Sequence, residues 1–275
     1  MLEAAGFIAL GLGIGTIGTL IGAGGGFILL PVLAILYPSE PTGILTATSL
    51  AVVAANATSG AVAYGRQRRI DLRSGLAFAL ATLPGSIGGA LLASAIPRGP
   101  FDVGFAVLLL VLAIVLLRLR PTTGDPVPRG RAWGRISREL TDAGGTVHRY
   151  HVEMPLGVAL SFVIGFASSL LGIGGGFIHV PVLIAVLGFP VHIATATSQF
   201  VLAIMAIVGT ATHVAVGDLG TVWPRVILIG AGAVLGAQAG ARLSRRVAGP
   251  LIVRLLTIAL VLVAIRLLAQ GLLGV

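Results

Sequence analysis

Ten apolar stretches, set apart by short polar or glycine-rich breaks, occupy most of this chain. In the first half they run roughly Ala4 to Ile21, Phe27 to Tyr37, Gly43 to Tyr64, Gly75 to Ile96 and Phe101 to Leu119. In the second half they run Pro155 to Leu171, Phe177 to Phe189, His192 to Val216, Trp223 to Leu243 and Leu251 to Leu268. Most are long enough, once helical, to cross a bilayer. Between the two sets lies Pro121 to Glu153, which carries Pro121, Pro126 and Pro128, five arginines and four acidic residues, and so does not belong in lipid. The pattern divides the chain into a first membrane repeat (1–120), a linker (121–154) and a second membrane repeat (155–275). Within the linker, Arg131, Trp133, Arg135 and Arg138 have the makings of a short interfacial helix, but a solvated loop is the expectation.

The two halves are copies. Gly22-Ala23-Gly24-Gly25-Gly26-Phe27 recurs 150 positions later as Gly172-Ile173-Gly174-Gly175-Gly176-Phe177, and Pro31-Val32-Leu33 is matched by Pro181-Val182-Leu183. Ile44-Leu45-Thr46-Ala47-Thr48-Ser49 then answers to Ile193-Ala194-Thr195-Ala196-Thr197-Ser198. Glycine interruptions at matching places in two apolar halves point to a transporter's binding site. The segment Phe27 to Tyr37 makes a helix of about 16 Å, against roughly 30 Å of hydrocarbon. It cannot span alone, and Phe177 to Phe189 is nearly as short. Each glycine loop is therefore expected at depth, at the tip of a re-entrant or broken-helix hairpin, where irregular backbone survives only in a cavity or buried in protein.

Composition agrees: 56% hydrophobic, 10% charged and a mean hydropathy of +1.06 leave too few residues to clothe a water-soluble exterior. There is no cysteine, hence neither disulfide nor thiolate metal site. Met1-Leu2-Glu3 carries no basic n-region, so the run from Ala4 reads as a first membrane segment and not as a signal peptide.

The net charge of +9 does not mark a nucleic-acid binder, because the basic residues, all arginine, sit at segment ends. If the loop with Arg66, Arg68, Arg69 and Arg73 is cytoplasmic, alternate crossings make the linker cytoplasmic as well, together with Arg242, Arg245, Arg246 and Arg254. Fifteen arginines then lie inside and three, Arg98, Arg225 and Arg266, outside. The positive-inside rule selects this orientation, with both termini extracytoplasmic. The third segment's loop is then inside while its counterpart, Gly217-Asp218-Leu219-Gly220, is outside. The expected fold is an all-α polytopic membrane protein, an inverted repeat of five segments each with glycine-broken short or re-entrant helices, which suits alternating access.

Candidate chemistry follows. Glycines admit a ligand close to the backbone, and helices starting near Phe27 and Phe177 aim unpaired N–H groups and positive dipole ends at the membrane centre, an anion site in outline. Pro31 and Pro181 are expected in the first helical turn. Small-xxx-small spacings such as Gly18/Gly22/Gly26, Gly85/Gly89 and Gly232/Gly236/Gly240 read as helix packing. From the first half the candidate substrate-binding residues are Gly24, Gly25, Gly26, Phe27, Thr46, Thr48, Ser49 and Asn56. From the second they are Gly174, Gly175, Gly176, Phe177, His179, Thr195, Thr197, Ser198, Gln199 and His213. Hydroxyls and amides can replace an oxyanion's hydration shell, although a membrane threonine or serine also bonds its own helix.

No acidic residue lies in mid-segment, so the buried carboxylate of many proton relays is missing; His179, then His213, are the ionisable groups to weigh. His192 reads as a helix cap, and His148 with His151 as no metal site. Gly13-Ile14-Gly15-Thr16-Ile17-Gly18 fits a dinucleotide fingerprint without the strand and acidic residue it needs, and neither glycine cluster is followed by the Lys-Ser/Thr of a P-loop. The Asn56-Ala57-Thr58 sequon lies inside a segment. No catalytic constellation, cofactor or metal is indicated.

The doubled motif Gly-Xaa-Gly-Gly-Gly-Phe-Xaa-Xaa-Xaa-Pro-Xaa-Leu, at Gly22 to Leu33 and Gly172 to Leu183 with Ala-Thr-Ser shortly after, resembles the sulfite exporter TauE/SafE family of membrane permeases. The likeness covers nearly the whole chain outside the linker. It implies a substrate among sulfite, organosulfonates and other small sulfur-containing anions, often moved outward, without ATP hydrolysis. The expectation is a secondary transporter in the cell (inner) membrane that exports such an anion, with a proton as the open choice of coupling ion; the alternative is an anion channel using the glycine hairpins as a filter.

Overall fold

In the computed structural model, residues 2–37, 39–92, 98–118, 135–171, 175–216, 219–220 and 222–273 are described. The first half folds into α1 (Leu2–Leu20), α2 (Gly26–Leu36), α3 (Thr42–Arg66), α4 (Leu72–Leu92) and α5 (Arg98–Arg118). After a hairpin of β1 (Arg135–Thr141) and β2 (Val147–Glu153) come α6 (Met154–Leu171), α7 (Gly176–Ala185), α8 (Val191–Val216), α9 (Trp223–Leu243) and α10 (Gly249–Leu273). The ten apolar stretches are thus ten helices. Among the described residues, five are long and apolar enough to cross a bilayer. Their outward faces are apolar, with Leu235 at 59%, Ile258 at 56% and Leu262 at 62% exposed, a surface that lipid tolerates and water does not.

Small residues decide which helices pair. A Cβ on Gly232, Gly236 or Gly240 of α9 would strike the backbone of Ile8, Leu12 or Thr16 of α1, so the two run parallel at close approach. The matching pair from the other halves, α4 and α6, is built alike: Gly85 abuts Phe162, and Gly165 abuts Thr82. Each half thereby packs its first helix against the fourth helix of the other. At the centre α3 meets α8, with Gly60 against Gln199 and Gly209 against Leu50, so these matching helices run antiparallel. α5 packs on α10.

One end of the bundle gathers arginine. Gln67, just past α3, donates to the Ala241 carbonyl near the end of α9 (2.9 Å), and Arg69 lies 3.5 Å from Asp142 in the hairpin turn. The part of the linker from 135 to 153 is consequently neither a solvated loop nor an interfacial helix: Arg135 and Arg138 lie on a strand. Arg131 and Trp133 lie outside the described residues. β1 and β2 pair antiparallel with Arg138 opposite Tyr150, and Tyr150 and Val152 alternate inward to a buried face. The Tyr150 ring packs 4.9 Å from that of Phe189, and its hydroxyl donates to Asp71 (3.0 Å). Asp71 also caps α4, accepting from the Ser74 N–H (3.1 Å). Burial, then the Asp71 charge, push the Tyr150 phenol far above its ordinary pKa, so it stays a donor. The sequence carried a hairpin signal in Gly144-Gly145 between two alternating runs.

Asp142 holds the turn. Burial opposes its ionisation, but the N–H groups of Thr146 (3.0 Å) and Gly144 (2.8 Å), with Arg69, outweigh burial and keep the carboxyl below its ordinary pKa. A depressed folded pKa stabilises the hairpin above the unfolded value, and that stability is lost as pH falls through the folded one. Amide-exchange protection of residues 142–147, corrected for intrinsic rates, is expected to drop below about pH 4 while the core helices stay protected. Asp142→Asn should show the lower protection already at neutral pH; protection equal to wild type there would remove Asp142 from this role.

Candidate functional site

The first glycine loop turns on backbone that only glycine adopts readily. Gly22, Gly24 and Gly25 have φ of +78°, +73° and +84°. Its N–H groups are turned back on α1: Gly22 donates to the Thr19 carbonyl (3.0 Å), and Ala23 and Gly24 to that of Gly18 (2.7 and 3.1 Å). The carbonyls are taken by side chains from the crossing helices. Asn56 Nδ2 of α3 donates to Gly24 O (3.0 Å), and Ser198 Oγ of α8 donates to Gly22 O (3.1 Å). The same Ser198 hydroxyl lies 3.4 Å from the carbonyl of Gly176, so one side chain ties the two hairpins together.

The hairpins touch directly. A Cβ on Gly176 would stand 3.0 Å from the backbone of Ala23 and 2.8 Å from Leu202, whose side chain also closes on Gly24. The rings of Phe27 and Phe177 are 6.1 Å apart. Behind Asn56 a polar nest continues: Thr19 donates to Asn56 Oδ1 (3.1 Å), and Tyr64 to the Thr19 carbonyl (2.9 Å). Gln199 is fully buried beside Gly60, and neither its Oε1 nor its Nε2 has a hydrogen-bond partner. A buried amide with both ends open is capacity for water or ligand.

The structure thus brings together Gly24, Gly25, Gly26, Phe27, Asn56, Gly176, Phe177, Ser198 and Gln199. Gly174 lies outside the described residues. Gly175 has φ −73°, an ordinary helical value, and faces Ser168 of α6. Ser49 is buried with an open hydroxyl, and Thr46 is half-buried in the first turns of α3. Thr48 and Thr197, matching residues, serve opposite ends: Thr48 lies 3.4 Å from Arg225, and Thr197 accepts from the Asp71 N–H (3.1 Å). Thr195 bonds the carbonyl of His192 (3.1 Å), its own helix. His179 packs between Ser161 of α6 (3.2 Å) and the edge of Phe78 of α4. His213 lies 14 residues beyond Gln199, about 21 Å along α8. Pro31 and Pro181 are second-turn residues inside α2 and α7, so each removes a helical hydrogen bond, contrary to the first-turn expectation.

Three residues were not singled out as ligands from the sequence. Thr19 completes the nest around Asn56. At the end remote from the hairpin, Arg225 and Glu40 form a bidentate pair at 2.9 and 2.7 Å. Arg225 had a signal: it is one of three arginines on the side where the charge rule leaves them scarce.

Comparison with known proteins agrees with this architecture. Sulfite exporter TauE/SafE is the family description that matches, over residues 7–267. The "Probable membrane transporter protein YunE" of Bacillus subtilis is 30% identical over 96% of this chain and 97% of its own length. A "Probable membrane transporter protein ORF9" of Sinorhizobium sp is 28% identical over 91% and 87%. No solved structure matches. A duplicated helical bundle with two glycine hairpins meeting at its core is here a multi-pass membrane transporter. The chain belongs to the sulfite exporter TauE/SafE family.

The loop geometry separates two glycines that look alike in sequence. Gly25→Val is expected to keep the protein inserted but abolish flux, because φ of +84° costs an L-residue about 1–2 kcal/mol and the side chain would meet Ile14 at 2.6 Å. Gly175→Ala should retain flux, since its φ suits any residue and the atoms its Cβ would meet belong to the Ser168 and Ile164 side chains, which can shift. Equal activity of the two variants at matched expression would reduce the first loop to a packing device.

Proposed function

We propose that this chain is a secondary transporter that exports a small sulfur-containing anion, sulfite or an organosulfonate, across the inner membrane by alternating access. The observation that carries this reading is the meeting of the two hairpins at the crossing of α3 and α8, sealed by Ser198 on the Gly22 carbonyl. Matching helices that run antiparallel fit an inverted repeat, whose two halves exchange conformations when the protein opens to the other side. The backbone at the tips is neutral and donor-rich at the first turn of α2 and α7, where Gly26 and Phe27, by helix geometry, have no intrahelical acceptor. With Gln199 carrying an open amide beside Gly60 and Thr19, an oxyanion passing between the hairpins finds donors without a fixed countercharge.

The family description supports sulfite as the substrate class, and the relatives' names support transport. Orientation follows the arginines: the α3–α4 turn, the β-hairpin and the end of α9 face the cytoplasm, and both termini face outward.

Purified protein in liposomes should show saturable sulfite flux that accelerates when unlabelled sulfite is placed on the opposite side. Counterflow is a carrier's signature; unitary currents without it would replace this reading with a channel. A C-terminal reporter that is active only in the cytoplasm should be silent, and activity would overturn the orientation.

A further inference from the structure

At the end of the bundle opposite the β-hairpin, a cavity of about 420 Å³ is lined by Glu3, Phe7, Tyr37, Glu40 and Arg225, among others. Arg225 stands in the first turn of α9 and is only 8% exposed. Its fork donates to both oxygens of Glu40, at 2.9 and 2.7 Å. Its plane lies 4.1 Å over the ring of Tyr37, and the Glu40-bound nitrogen also lies 3.4 Å from the Thr48 hydroxyl. One nitrogen has no partner: Nε is buried and its N–H is open. A buried guanidinium alone would be severely destabilising, so some anion must always occupy the fork.

We propose that Arg225 is an anion-binding residue of the outer vestibule, and that Glu40 is an internal stand-in which the transported oxyanion displaces. The fork that accepts a carboxylate through two parallel N–H···O bonds accepts two oxygens of a sulfite or sulfonate equally well. The open Nε and the Thr48 hydroxyl are further donors, and the cavity exceeds the roughly 30 Å³ of one water many times over. Glu40 is the residue built to yield. It is 25% exposed at its side chain and sits in the connection from α2 to α3, directly after the short helix that begins at the glycine loop. Release of Glu40 therefore frees the same connection that anchors the hairpin arm. The other half lacks this device: at the offset that relates Thr46 to Thr195, the place of Glu40 is taken by Phe189. The site thus gives the anion a handhold on one side of the membrane only.

This inference rests on the anion-transport reading, and the test separates the two. Sulfite and methanesulfonate, with chloride at matched ionic strength as control, are titrated against wild type, Glu40→Gln and Arg225→Gln by thermal shift. Glu40→Gln should bind both sulfur oxyanions about tenfold tighter than wild type, the factor expected when a charge-assisted competitor is removed, and Arg225→Gln should not respond. A second measurement needs no variant: saturating sulfite should speed amide exchange of residues 39–45 in wild type as Glu40 lets go. Equal affinity in all three proteins, or no response in any, with unchanged exchange, overturns the proposal. Counterflow in wild type alongside that outcome keeps the transport reading and discards the site. Tight binding by Glu40→Gln in a protein without counterflow does the reverse.

Discussion

Backbone N–H and C=O groups buried in protein have no water to bond, and the first glycine loop, lodged between α1 and α2, leaves its helix in that environment. Its three N–H groups at Gly22, Ala23 and Gly24 fold back on the carbonyls of Thr19 and Gly18. Its carbonyls at Gly22 and Gly24 need outside donors, and these arrive from Ser198 on α8 and Asn56 on α3. One donor from each half must therefore stand at the loop. That requirement brings α3 and α8 to a crossing, and the crossing sets the position of everything that leans on them.

Dispersion and close approach hold the remainder, since apolar side chains gain nothing from leaving lipid. Glycines at Gly232, Gly236 and Gly240 let α9 lie on the backbone of α1, and Gly85 with Gly165 let α4 and α6 do the same. Because each pair joins one helix from either half, the repeats are interlocked. Further polar anchors stand at the two ends. Asp71 gathers Ser74, Tyr150 and the Thr197 hydroxyl at one, while Glu40, Tyr37 and Thr48 gather on Arg225 at the other. Both threonines come from the duplicated motif. The same sequence element thus locks opposite ends of one molecule, with different partners at each.

The lipid-facing segments, the duplication and the glycine breaks were legible in the chain because each is a one-dimensional quantity. Run length sets whether a helix spans, residue order exposes a copy, and a triple glycine cannot continue a helix cheaply. Even the short length of α2 and α7 could be read from Phe27 and Phe177 onward. Partnership could not. Arg225 and Glu40 are 185 positions apart, and Tyr150 and Asp71 are 79 apart. No local pattern says which of many arginines meets which carboxylate. His179 sits three residues past Gly176 in sequence, yet rotation around α7 turns it to Ser161 and Phe78. Gly25 and Gly175 are identical in the motif, and only the fold gives one a positive φ and the other a helical one. The sequence by itself determined that this protein lies in a membrane, as two related halves broken by glycine, since solvent and backbone sterics act on each segment alone. The tertiary structure decided which groups face one another, because buried polar atoms accept whichever partner the packing of distant helices delivers.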